Sequence, residues 1–226
     1  MTQRSARWKR VLGAALAVFV MLSLTANRSV AHPHVWIDSV VRLIFDDNHH
    51  VTALEVEWHF DEFYSLFAVE DLDKNADGKL DEAELRPLAE LNVTSLESYR
   101  YFTYVKVDGV DAAYEKVRDY SSRFDDGILS LRFVLPLSVP VDPRTAQFSF
   151  SSYDPSFYIS IEPGRETPVI LSDGAPEGCA LRLTRGADTE TLNLADTDIF
   201  DAGGQSIAAR FASRATLSCA SPAVIQ

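Results

Sequence analysis

Twelve consecutive residues, Asp73-Lys74-Asn75-Ala76-Asp77-Gly78-Lys79-Leu80-Asp81-Glu82-Ala83-Glu84, place oxygen donors at a spacing that suits a hard cation. Asp73, Asn75 and Asp77 occupy the first, third and fifth positions. Lys79 offers its backbone carbonyl at the seventh, and Asp81 at the ninth suits a contact through water. Glu84 closes the set at the twelfth, where a bidentate carboxylate is needed. Gly78 stands at the sixth, where the chain turns sharply. This is the spacing of an EF-hand calcium loop. Four carboxylates brought together without a cation repel one another, so Ca²⁺ is expected to be part of the fold. The competing reading is an acidic surface loop, which would fix none of these positions.

A second set of ligands depends on where the chain begins after export. Arg4, Arg7, Lys9 and Arg10 precede an apolar run, Val11 to Leu24, that is short for a membrane span. Ser29-Val30-Ala31 then supplies small residues suited to a signal peptidase. Residues 1–31 are therefore expected to be a cleaved signal peptide; the rival reading is a retained anchor. Cleavage after Ala31 removes five Lys/Arg and no Asp/Glu, taking the formal charge from −12 to −17. Such a surface repels nucleic acid and attracts cations.

The same cleavage would make His32 the first residue. All five histidines lie between His32 and His59. A terminal amine, the His32 imidazole and His34 could together present three nitrogens, a set suited to nickel, cobalt, copper or zinc. Pro33 has no N–H, which disfavours a copper site built on deprotonated backbone amides. His59 is a third candidate ligand, or a partner of Asp38. His49 and His50 read as turn residues. No nucleophile elbow, phosphate loop or His-Glu-x-x-His helix is present, so no enzyme activity is expected. A copper oxidase built on the terminal histidine is the weaker rival.

These ligands need a scaffold, and the patterning supplies a mainly β one. Val35 to Phe45 and Val51 to Phe60 alternate with period two, so each is expected to be a strand with one buried face. A tight turn at Asn48-His49 would set Arg42 opposite Glu55, Val41 opposite Val56 and Asp38 opposite His59. Asp61 can cap a short helix with Phe63, Leu66, Phe67 and Val69 as its apolar stripe. The helix leaving the calcium loop starts near Glu82 and carries Leu85, Leu88 and Leu91, with a kink or restart expected at Pro87. Beyond Leu96, turn signals at Asp108-Gly109, Asp125-Asp126-Gly127 and Asp154-Pro155 separate further strands. Ala180 to Arg185 and Ala208 to Cys219 read as the last strands, and Asp196 to Phe200 as one helical turn. The expected fold is a sandwich of antiparallel sheets, α+β overall, with a helical EF-hand inserted over residues 60–96 of a β domain spanning 32–172. Residues 173–226 would add C-terminal strands. Cys179 and Cys219 are the only cysteines, and in an oxidising compartment an even pair reads as a disulfide.

Four segments carry a family resemblance: His32-Pro33-His34-Val35-Trp36-Ile37-Asp38, Phe60-Asp61-Glu62-Phe63-Tyr64, Tyr101-Phe102-Thr103-Tyr104, and Tyr153-Asp154-Pro155 with Phe157-Tyr158. With them the chain resembles the domain of unknown function family one-thousand-and-seven over nearly its whole mature length. The resemblance implies a periplasmic protein associated with an ABC-type transport label and with nickel/cobalt-type permeases. It implies a role in metal handling and an inner-membrane permease as partner, and it supplies no catalytic residues. A plain interaction module, docking on a permease through the aromatics around Phe63-Tyr64 or Phe157-Tyr158, is the alternative.

Overall fold

The first two strands, β1 (Val35–Phe45) and β2 (Val51–Phe60), form an antiparallel ladder whose register follows the alternation of the sequence. Asp38 pairs with His59, Val41 with Val56 and Arg42 with Glu55, as the pattern requires. Ile37, Val41, Leu43, Leu54, Val56, Trp58 and Phe60 are buried on one face, with the charged residues on the other. The connection differs from the expected two-residue turn. The register shifts between Ile44 and Phe45, and the loop spans Asp46 to His50. The cause is the Asp46 carboxylate, which accepts the backbone N–H of both Asn48 (2.9 Å) and His50 (2.8 Å). The positive φ falls on His49 (66°) rather than on Asn48.

The structure is a computed structural model and describes residues 33–186 and 207–219. Residues 1–31, His32 and the helical turn expected at Asp196–Phe200 lie outside the described residues. Among the described residues no helix is long and apolar enough to cross a membrane.

Two sheets pack face to face. The first runs β5 (Tyr120–Asp125), β6 (Ile128–Val141), β2, β1, β8 (Ile159–Pro163), with β9 (Val169–Leu171) also on β1. The second runs β10 (Cys179–Thr184), β11 (Arg214–Cys219), β7 (Phe148–Ser152), β3 (Thr103–Val107), β4 (Val110–Asp111). The expectation of purely antiparallel sheets is corrected here: β8 and β9 both run parallel to β1. They reach it after a long excursion through the second sheet, and a crossover of that length permits parallel pairing. The two hairpin turns, Asp108-Gly109 and Asp126-Gly127, have positive φ at both residues, the twist that suits a two-residue turn between strands.

Trp58, Phe133 and Phe148 are the largest fully buried side chains among the described residues. Trp58 meets Phe133 edge-on at 5.4 Å and Phe102 in a stack at 6.5 Å. Each such side chain contributes about 1.5–3 kcal/mol by leaving water. Cys179 and Cys219 face one another across the β10–β11 ladder and form a disulfide. Ala208 to Cys219 is not one strand. Ile207–Phe211 is a short helix (α3), as its Ala-Ala-Arg composition favours, and β11 follows it.

Between β2 and β3 the chain forms two helices, α1 (Glu62–Ala68) and α2 (Glu82–Glu97), joined by the acidic loop. Asp61 caps α1 as expected, accepting the N–H of Tyr64 at 2.9 Å. Of the expected apolar stripe of α1 only Val69 packs against the core, while Phe63, Leu66 and Phe67 face outward. Phe63 and Phe67 are 84% and 70% exposed, whereas Ser65 is fully buried. Ser65 Oγ accepts the backbone N–H of Leu129 (2.9 Å) and donates to the carbonyl of Phe60 (3.4 Å). A hydroxyl wins the inward position because it satisfies a strand donor that an apolar side chain would leave unpaired. In α2 the inward residues are Leu85, Ala89, Val93 and Leu96. Leu88 is half-buried and Leu91 is exposed, which corrects that stripe as well. The helix runs through Pro87 without restarting.

Candidate functional site

The acidic loop is organised by its own side chains. Asp73 Oδ2 accepts the backbone N–H of Gly78 at 2.9 Å, and Asp73 Oδ1 accepts that of Asp77 at 3.3 Å. Asn75 Oδ1 accepts from Asp77 (2.8 Å), and Asp77 Oδ1 accepts from Lys79 (2.8 Å). The oxygens at the first, third and fifth positions are therefore turned inward. Two residues make the bend possible: Ala76 with φ 58° and Gly78 with φ 78°. A side chain at Gly78 would meet nothing within 4 Å, so the glycine is there for its backbone conformation alone.

Glu84 closes the loop from the first turn of α2. Its Oε1 accepts the N–H of Lys74 (2.8 Å) and of Asn75 (3.3 Å). Its Oε2 accepts from Asp81, whose own Oδ1 accepts the N–H of Glu84 (2.9 Å). Asp81 and Glu84 thus form a capping box, and one carboxylate both starts the helix and spans the loop. Sequence reasoning missed the neighbourhood: a cleft joins Asp71, Asp73, Gly78 and Lys79 to the β5–β6 turn at Asp125 and Asp126. Asp-Gly there reads as turn chemistry, and only the fold shows that this turn adds two carboxylates beside the loop. The side-chain donors of the loop are all oxygen, the ligand type that hard cations such as calcium take. No three His, Cys, Asp or Glu side chains among the described residues converge closely enough to hold a metal ion as they stand.

The histidines are spread apart. His34 donates its backbone N–H to the carbonyl of Tyr158 (2.8 Å), and its ring lies 4.8 Å from that of Tyr158. His59 lies opposite Asp38, four positions along the strand from His34, and its Nε2 is 3.6 Å from Glu57. The structure does not bring His34 and His59 together, and His32 lies outside the described residues. His49 Nδ1 meets the carbonyl of Gly174 (2.7 Å), and His50 lies between Asp46 and Asp142 (3.7 and 4.0 Å).

The four segments singled out in the sequence meet in pairs. Asp61 Oδ2 accepts the N–H of Trp36, while the Asp61 N–H donates to the Trp36 carbonyl (3.0 and 2.9 Å). One carboxylate therefore ties the start of β1 to the start of α1. Elsewhere the Tyr153 N–H donates to the Phe102 carbonyl (2.9 Å), and the rings of Tyr104 and Tyr153 stack at 4.1 Å. Asp154 is buried and accepts from the N–H groups of Ser156 (2.8 Å) and Ile159 (3.0 Å), which shapes the turn leading into β8.

The profile of a family described as "Protein of unknown function (DUF1007)" matches residues 16–219. An "Uncharacterized 15.5 kDa protein in trpE 3'region" of Spirochaeta aurantia is 30% identical over 118 residues, covering 51% of this chain and 84% of that protein. An "Uncharacterized protein" of Haemophilus influenzae is 30% identical over 150 residues, covering 63% of this chain and 68% of that protein.

Proposed function

Since the chain belongs to the DUF1007 family of proteins of unknown function, we propose that it is a periplasmic β domain, stabilised by calcium, that handles a transition metal for an inner-membrane transport system. The observation that carries the calcium part is the loop geometry. Asp73, Asn75 and Asp77 turn their oxygens inward around the Gly78 bend, and Glu84 reaches back to the loop's start. Asp73, Asn75, Asp77, Asp81, Glu84 and the Lys79 carbonyl would hold the ion. Calcium would neutralise carboxylates that otherwise repel, and so lock α1 and α2 on the first sheet. A loop of this kind outside the cytoplasm binds at about 10⁻⁴–10⁻³ M, which favours steady occupancy over signalling.

Transition-metal handling rests on the amino terminus. Cleavage after Ala31 would expose the amine of His32, beside His34 at the head of β1. Cys179–Cys219 agrees with an oxidising compartment. Nickel, cobalt, copper and zinc all suit amine and imidazole ligands. The test is native mass spectrometry of protein purified from the periplasm, before and after chelation and metal titration. A chain starting at His32 that carries one calcium, and takes one further metal that His32→Ala/His34→Ala loses, is the expected result. Calcium with no second metal at micromolar supply removes the delivery role.

One observation favours a second reading. Phe63 and Phe67 project from α1 into solvent, and Trp36 and Tyr158 are also exposed. In that reading the protein is an interaction module that docks on a membrane permease, with calcium purely structural. Co-purification with a permease that survives His32→Ala/His34→Ala and fails in Phe63→Ser/Phe67→Ser would select it.

A further inference from the structure

The outer face of the second sheet carries a concave site separate from the calcium loop and the histidines. Arg100, Tyr104, Lys106, Asp111, Tyr153 and Arg214 line it. The register explains the grouping. Tyr104 on β3 pairs with Ser151 on β7, and Ser151 pairs with Arg214 on β11. These three residues form one row across adjacent strands, so the Tyr104 and Arg214 backbones stand about 10 Å apart, the width of a small organic molecule.

The charges in this site are not balanced. Lys106 pairs with Asp111 at 2.7 Å. Arg100 is half-buried and donates from Nη2 to the Ala112 carbonyl (3.0 Å), with its guanidinium 5.1 Å from the Tyr114 ring centre and 5.9 Å from that of Tyr104. Neither Arg100 nor Arg214 has a carboxylate within ion-pair distance among the described residues. A half-buried guanidinium without a counter-ion is costly, and ring faces offset only part of that cost. The excess is positive, in a chain whose formal charge is −12.

The backbone that presents Arg100 is itself unusual. Arg100, Tyr101 and Phe102 have φ of 55°, 53° and 45°, three successive non-glycine residues in the left-handed region. The buried Tyr101 and Phe102 side chains hold this turn in place. Strain retained at the edge of a cleft is a common companion of binding. Burial, and then the neighbouring phenol, push the Tyr104 hydroxyl up to about 12, so it stays a neutral O–H donor at physiological pH.

We propose that this face binds a small organic oxyanion, a carboxylate or a phosphate, with its oxygens against Arg100 and Arg214 and its carbon skeleton against the Tyr104–Tyr153 pair. Guanidinium forks match both kinds of oxyanion, and the stacked phenols supply an apolar wall with polar tips.

Benzoate, citrate and inorganic phosphate are titrated separately into the purified protein by calorimetry at low ionic strength. At least one is expected to bind with a Kd below about 1 mM. Arg214→Ala, at an exposed strand end, and Lys106→Gln should each weaken it, the former by about tenfold or more. Carboxylate binding without phosphate binding, or the reverse, identifies which oxyanion is taken. No binding of the three probes below about 1 mM overturns the proposal, as does binding that Arg214→Ala leaves unchanged.

Discussion

The Asp73 carboxylate accepts the backbone N–H of Gly78 at 2.9 Å, so the first donor of the acidic loop and its sharpest bend define each other. Glu84 then returns to the residue after Asp73, the Lys74 N–H lying 2.8 Å from its Oε1. Under the proposed function these hydrogen bonds would hold the loop around its calcium ion. With a Kd of about 10⁻⁴–10⁻³ M, about 10 mM calcium should stabilise the fold by roughly 1.4–2.7 kcal/mol. For a chain of this size that raises Tm by about 3–10 °C. Glu84→Gln should abolish the rise and, by weakening the capping box, lower Tm slightly without calcium too. Thermal melts of both proteins with and without calcium check this; a calcium-independent Tm in the wild type removes calcium from the fold.

Ser65 makes a sharper claim about how α1 is held. Its hydroxyl is the acceptor for the buried N–H of Leu129. Ser65→Ala leaves that donor unpaired and should cost about 1–3 kcal/mol in denaturant unfolding. Phe67→Ser, on the exposed side of the same helix, should change stability by no more than about 0.5 kcal/mol. The opposite ranking would mean that Phe67 is buried in solution and that the helix sits the other way round.

That contrast shows where sequence patterning stops. The turn and the period-two alternation together placed Arg42 opposite Glu55 and Asp38 opposite His59, because a slip of one residue would bring apolar and charged faces together. The sharp bend at Gly78 was equally legible, since local spacing sets it. The α1 stripe was not. Seven residues offer too few turns for periodicity to outweigh one hydrogen bond from a distant strand. The parallel pairing of β8 with β1 was hidden as well, since alternation says nothing about strand direction. Nor could the pattern show that Arg100 and Arg214, over a hundred positions apart, share a face.

Acid should act on the outer face of the first sheet. Arg132 bridges Asp119 (2.9 Å) and Glu55 (2.6 Å). Its hydrogen bond to Asp119 lowers that carboxyl below its ordinary value. A folded-state value below the unfolded one means the pair stabilises at pH above about 4 and loses its contribution as pH falls through the lowered value. Because Asp119 is largely exposed, the amount is at most about 1 kcal/mol. Asp119→Asn should therefore be slightly less stable than the wild type at neutral pH, and the two should converge in strong acid. A stability gap that persists undiminished in strong acid would assign the effect to packing instead.

The disulfide offers the last test. Among the described residues β10 is an edge strand whose sole sheet neighbour is β11, and Cys179 stands directly opposite Cys219 at the end of their ladder. The bond closes a loop of 40 residues, so its main action is to restrict the unfolded chain, by about 2–4 kcal/mol. Without it, β10 keeps one ladder and a row of half-buried contacts, too little to hold an edge strand firmly. The double variant Cys179→Ser/Cys219→Ser should lower the denaturation midpoint by a matching amount. New proteolytic cuts should appear first between residues 179 and 219, while β1, β2 and β6 stay protected. Equal midpoints for wild type and variant under non-reducing conditions would show that β10 is held by its ladder alone.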